Sequence, residues 1–326
     1  MMNRRWTDEQ VAGQRLLVGF DGTSFNEDLK FLIGELMVGG LIIFARNIET
    51  PEQVRDLCRS CQDYAAKQDL PPLFIAVDQE GGQVARLKPP YFSAFPEGNP
   101  GMQCEDDVER FVEVTSRELK DIGMNMNMAP VLDVEPPGFS GVMAKRVFRG
   151  DQDFVARMGS AMIRGFQSRG IMAVAKHFPG IGRTTLDSHL HLPVLETGFD
   201  ELAQSDLVPF EEAIRQGVSA VMMSHIQYRD IDDSWPASLS VNVVKGLLRD
   251  RLGYQGLVMT DDLDMKAIRV PIEVSISRIV EADVDMALIC HKGPDIEQAC
   301  RMFRDVDPAI NRVSFHRIME LKRTFL

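Results

Sequence analysis

Eight short apolar runs recur along the chain: RLLVGF (15–20), LIIF (41–44), LFIAV (73–77), MNMNMA (124–129), AVAKH (173–177), AVMMS (220–224), LVMTD (257–261) and DMALIC (285–290). Most are continuous rather than alternating, the pattern of strands buried on both faces of a parallel sheet. Helix-like segments lie between them. PEQVRDLCRSCQDYAAK (51–67) opens with proline, which suits a helix N-terminus. EDDVERFVEVTSRELKDIG (105–123) repeats apolar residues at helical spacing and stops at Gly123, and SVNVVKGLLRDRLG (240–253) stops similarly at Gly253. Eight strands alternating with helices predict an α/β fold of the (β/α)8 TIM-barrel type in a single domain. A doubly wound open sheet is the competitor, but no G-x-G-x-x-G follows the first strand. Polar residues also end many runs rather than one: Asp78, Asn127, Lys176–His177, Ser224–His225 and Asp261–Asp262. In a barrel all these ends converge on one mouth.

Composition narrows the setting. Apolar residues make up 44% of the 326, enough for a substantial core, and no linker, low-complexity tract or repeat divides the chain. The net charge is −12, with no concentrated basic surface, so nucleic acid is not an expected partner. MMNRRWTDEQ has basic residues but no apolar stretch behind them, so the Arg4–Arg5 pair does not read as an export signal. No apolar run approaches the roughly 18 residues that span a bilayer. A cytoplasmic protein without membrane partners is expected. Five scattered cysteines do not form a disulfide framework. Cys58 and Cys61 fall on the 51–67 helix with no second pair to complete a zinc site, and are expected to be two thiols on one helix.

Five segments could carry chemistry. VDQEGGQVAR (77–86) puts Asp78 at a strand end before a Gly-Gly turn, with Arg86 eight residues later. A carboxylate there can accept two hydrogen bonds from adjacent sugar hydroxyls, or cap a turn. AKRVFRGD (144–151) offers Arg146 and Arg149, suited to bidentate contacts with oxygens or to a surface loop. VMMSHIQYRDID (221–232) brings Ser224 and His225 toward the mouth. GLVMTDDLDM (256–265) ends a strand with two aspartates; one should lie at the mouth as a possible nucleophile, the other should cap the following helix. KHFPGIGRTTLDSHLH (176–191) holds three of the six histidines. Lys176 and His177 end a strand, where burial in the barrel core would be expensive, so they should face the mouth. In extended chain Asp187 and His189 project to one side, so the carboxylate can hold the imidazole as a general acid/base. The residues alone leave three readings open: glycoside hydrolysis, a metal-dependent hydrolase using His189, His191 and Asp261, and a barrel that binds sugar without catalysis.

The ordered set of motifs resembles glycoside hydrolase family 3, and within it the single-barrel bacterial β-N-acetylglucosaminidases of the NagZ type. It runs through GQRLLVGFDG, VGGLIIFARNIETPEQV, VDQEGGQVARL, MNMAPVLDV, AKRVFRGD, AKHFPGIG, DSH, VMMSHIQY, PASLS and GLVMTDDLDMKAI, and fades after DMALIC. The resemblance implies one catalytic barrel over residues 1–326, with Asp261 as nucleophile and His189 as acid/base partnered by Asp187. It implies that Asp78, Arg86, Arg146, Lys176 and His177 hold the terminal sugar. The implied reaction removes a terminal β-linked N-acetylglucosamine with retention, from cell-wall (peptidoglycan) fragments such as muropeptides, in the cytoplasm and without metal or organic cofactor. A β-glucosidase of the same family is the alternative. An imidazole acid/base avoids the repulsion between the two carboxyl groups, about 5 Å apart, of ordinary retaining enzymes, and excludes an anionic acceptor such as phosphate less strongly. Relative to the family pattern, Ile181 replaces the second histidine of KHFPGHG, Arg149 a glycine after R-x-F, Val284 a glycine before the last strand, and Asp264 a common serine. Ile181 and Arg149 bear on acetamido and aglycone selectivity and on loop closure.

Overall fold

The computed structural model describes residues 6–186, 192–291 and 293–326. Eight parallel strands close into a barrel: β1 (Leu16–Val18), β2 (Gly40–Ile43), β3 (Phe74–Val77), β4 (Met126–Asn127), β5 (Met172–Phe178), β6 (Ala220–Met223), β7 (Leu257–Asp262) and β8 (Met286–Ile289). Each pairs with its neighbours in sequence, and β1 pairs with β8 to close the circle. All eight apolar runs therefore become barrel strands.

Continuous apolar runs are required because both faces are buried. Leu17, Ile42, Phe74, Ala76, Met172, Val174, Met259 and Met286 point inward and pack on each other. Their neighbours Leu16, Val18, Leu41, Ile75, Val77 and Ala173 join the layer between sheet and helices. Side chains alternate across a strand, so one run feeds two cores.

Helices Pro51–Lys67 and Glu105–Asp121 occupy the segments expected for them. Cys58 and Cys61 are buried on the first, and burial pushes the Cys61 thiol up to about 12. The third expected helix runs over Asn242–Arg251 but is wound with i to i+5 hydrogen bonds. A C-terminal helix, Pro308–Phe325, closes the end of the barrel where the strands begin: Ile318 enters the inner core, with Leu321 and Phe325 against it. Lys322 donates there to Gln14 Oε1 (2.6 Å) and the Gly39 carbonyl (2.9 Å). The other end is left open. No helix among the described residues is long and apolar enough to cross a membrane.

Candidate active site

The polar candidates gather at that open end. Asp78 follows β3. Gly81 and Gly82, with φ of +83° and +62°, then turn the chain so that Gln79–Gly81 pairs antiparallel with Val84–Ala85. Gln79 Oε1 accepts from the backbone N–H of Arg86 (2.9 Å) and of Leu87 (3.0 Å). This holds Arg86 with its Nη2 3.3 Å from Asp78 Oδ2. Asp78 Oδ1 accepts from Lys176 Nζ at 2.9 Å, so Asp78 serves the mouth rather than a helix cap.

Lys176 has a second partner that the sequence reading missed. Glu80 Oε1 lies 2.6 Å from its Nζ, and Glu80 also takes Arg146 in a fork, Nη2 to Oε1 at 2.8 Å and Nε to Oε2 at 3.0 Å. Glu80 is 2% exposed. Burial pushes Asp78 and Glu80 up, but Lys176 and Arg146, joined at Asp78 by Arg86, outweigh it and hold both below the usual carboxylate range. Burial likewise lowers Lys176, and the two carboxylates more than restore it. Among the described residues, the buried Arg86 Nε has no acceptor.

His177, next to Lys176 on β5, lies with its Nδ1 2.8 Å from Asp133 Oδ2 and its Nε2 3.3 Å from Arg146 Nη2. Across the mouth, β7 delivers two aspartates in different states. Asp261 lines the cavity, and its Oδ1 accepts from the Asp262 N–H at 2.8 Å. Burial raises its pKa, yet the His177 and His225 imidazoles in their protonated form, that N–H and Lys176 bring it below the ordinary value. Burial raises Asp262 to about 6, helped by Asp264 and Asp261 and only partly offset by the N–H groups of Asp264 and Cys290. Asp262 does not cap a following helix as expected. The next helix starts at Ile272, and Asp262 Oδ1 instead accepts from Asp264 N and Cys290 N, both at 3.1 Å.

Asp78, Arg86, Arg146, Lys176, His177 and Asp261 share one cavity of about 570 Å³, floored by Ile42, Met222 and Leu288, a volume typical of small-molecule sites. Ile181 is in its wall. Four other candidates stand apart from it. Asn127 is structural: its side chain exchanges hydrogen bonds with the backbone of Gln79. Ser224 and His225 are 1% exposed, and His225 lies behind β7, bonded to the Asp262 carbonyl (2.9 Å) and Ser238 Oγ (2.7 Å). Arg149 is exposed and faces a separate depression with Arg183, not the cavity of Arg146. Asp187, His189 and His191 lie outside the described residues. No cluster of three or more metal-ligating side chains occurs among the described residues, a finding that does not bear on His189 and His191.

Fixed cations and carboxylates at this mouth can read hydroxyl groups from several sides, and an ionised carboxylate among them can attack a carbon. The family description "Glycosyl hydrolase family 3 N terminal domain" matches residues 7–313. The chain belongs to glycosyl hydrolase family 3. Beta-hexosaminidase A of Pseudoalteromonas piscicida is 34% identical over 322 residues, which cover 87% of this chain and 53% of that protein. A family 3 beta-N-acetylglucosaminidase from Paenibacillus sp. str. FPU-7 superposes with a TM-score of 0.94 at 36% identity, covering 98% of this chain and 63% of that one. This family 3 chain thus spans about half to two thirds of those two relatives. NagZ from Neisseria gonorrhoeae, solved with N-trifluoroacetyl-D-glucosamine, superposes with a TM-score of 0.83 at 29% identity, covering 94% of this chain and 89% of that one.

Proposed function

We propose that the chain is a single catalytic barrel acting as a retaining exo-β-N-acetylglucosaminidase. Asp261 attacks the anomeric carbon and forms a covalent glycosyl–enzyme. His189, oriented by Asp187, protonates the leaving oxygen and then deprotonates the attacking water. Asp78, Arg86, Arg146, Lys176 and His177 hold the terminal sugar. The likeness to relatives called beta-hexosaminidase and beta-N-acetylglucosaminidase supports the choice of N-acetylglucosamine. The proposed natural substrates are cell-wall fragments in the cytoplasm.

The observation that carries this reading is the meeting of Asp261 with the five sugar-holding candidates around one cavity. Its depressed pKa keeps the carboxylate ionised at neutral pH, as a nucleophile must be. The testing experiment assays a chromogenic β-N-acetylglucosaminide beside the matching β-glucoside, with and without EDTA. Cleavage of the acetamido sugar, unchanged by EDTA, is expected. Preference for the glucoside would assign a β-glucosidase. Loss with EDTA would assign a metal hydrolase, and sugar binding without turnover a non-catalytic barrel.

A further inference from the structure

Asp133 is fully buried in the segment after β4, where Leu132 N donates to the Lys176 carbonyl at 2.7 Å. Its two oxygens serve different parts of the molecule. Oδ2 faces His177 Nδ1 at 2.8 Å. Oδ1 accepts from the Ile181 N–H at 2.8 Å and from the His177 N–H at 3.3 Å. His177 lines the cavity, and Ile181 starts the stretch that leads to Asp187 and His189. We propose that Asp133 is a positioning residue whose single carboxylate sets both the tautomer of His177 and the root of the acid/base loop. The proposal rests on the reading of the cavity as a glycosidase site.

The tautomer follows from the neighbours. Arg146 Nη2 stands 3.3 Å from His177 Nε2, and a guanidinium only donates. Nε2 is therefore the acceptor, and the ring proton sits on Nδ1 facing Asp133. That arrangement engages both ring nitrogens, Nδ1 as donor to Asp133 and Nε2 as acceptor from Arg146, and so fixes the ring where it lines the cavity. The loop root lies directly on the same segment: a Cβ added to Gly182 would come within 2.0 Å of the Val134 carbonyl oxygen. Tyr228 Oη donates to the Gly180 carbonyl at 2.6 Å, and Arg183 pairs with Asp206 at 2.8 Å and with Glu201. A shift of Asp133 thus moves the sugar-facing imidazole and the loop root together.

Two substitutions separate the two jobs. In Asp133→Asn the amide oxygen can still accept from Ile181, but its NH2 meets the Nδ1–H. The imidazole must then carry its proton on Nε2, against Arg146. Nitrogen-15 NMR is expected to find His177 protonated on Nδ1 in the wild type and on Nε2 in Asp133→Asn. The kcat/KM for an aryl β-N-acetylglucosaminide is expected to fall about 100-fold, mostly through KM, with affinity for N-acetylglucosamine falling in parallel. Asp133→Ala loses both contacts and is expected, in addition, to lose kcat selectively on substrates with poor leaving groups.

Protonation of wild-type His177 on Nε2 would overturn the proposal. So would kinetics within twofold of wild type in both variants, or a loss that follows melting temperature alone with leaving-group dependence unchanged. If neither variant folds, the wild-type tautomer decides. If the wild type turns over no glycoside, the functional reading falls alone. The tautomer and a titration with N-acetylglucosamine then still decide the role of Asp133.

Discussion

Both ends of the barrel bury networks of charge, and they differ in what the charges have left to do. Where the strands begin, Arg15 donates to the carbonyls of Val284 (2.7 Å) and Asp285 (3.1 Å) and to Asn311 Oδ1 (2.8 Å). Arg249 donates to the carbonyls of Tyr254 (3.1 Å) and Gly256 (2.7 Å) and to Asp285 Oδ2 (2.7 Å), and Arg317 joins Asp283 and Asp285. Backbone carbonyls take half of these contacts, and the C-terminal helix seals the end. Where the strands stop, Asp78, Glu80, Lys176, Arg146 and Arg86 pair through side chains alone and border a cavity. The first network fixes strand ends and should govern stability. The second keeps donors and acceptors turned toward an occupant and should govern turnover.

The sharpest way to break this contrast is Asp261→Ala. It should reduce kcat by about 10⁴-fold or more while leaving the melting temperature near that of the wild type. A matching loss of stability would erase the division between the two ends. His189→Ala should cost about 10²–10⁴-fold on substrates with poor leaving groups and much less on good ones, because its proposed task is to protonate the leaving oxygen. Equal losses on both, read in steady-state assays, would remove His189 from that role. Asp285→Ala should act the other way: it takes one of two carboxylates from Arg249 and Arg317, which keep Asp283, and should lower stability by about 1–3 kcal/mol in urea unfolding, with kcat per folded molecule unchanged.

The smallest effect is on pH. Asp78 and Glu80 have folded pKa values below their unfolded ones, so the stability they add is present above about pH 4 and is lost as pH falls through the folded values. Asp261 is lowered too, so the acid limb of kcat/KM should lie below the ordinary aspartate value of about 3.9. Lys176→Met removes one of the charges that lowers it and should move that limb upward. An unmoved limb would separate Asp261 from the cluster.

The two ends were not equally legible in the sequence. The eight strands were readable because burial on both faces leaves uninterrupted apolar runs, and the residues at their ends marked the mouth. Glu80 and Asp133 escaped because their partners are remote: Arg146 lies 66 positions from Glu80, and His177 lies 44 from Asp133. Local patterns do not carry such pairings. Glu80 had one available signal, its i+2 spacing from Asp78, which in extended chain puts both on one side. Asp133 had another, an acidic residue closing the apolar PVL stretch. Asp262 was misjudged because an aspartate at a strand end resembles a helix cap until the long turn before Ile272 is seen. The Asp187–His189 pair remains a proposal from the motif.

The most direct measurement traps the proposed intermediate. The protein would be incubated with a slow 5-fluoro N-acetylglucosaminyl fluoride, digested, and mapped by mass spectrometry. One sugar is expected on Asp261, in the peptide that contains the end of β7, and none in Asp261→Ala. Steady turnover with no adduct, or an adduct on another carboxylate, would contradict the account.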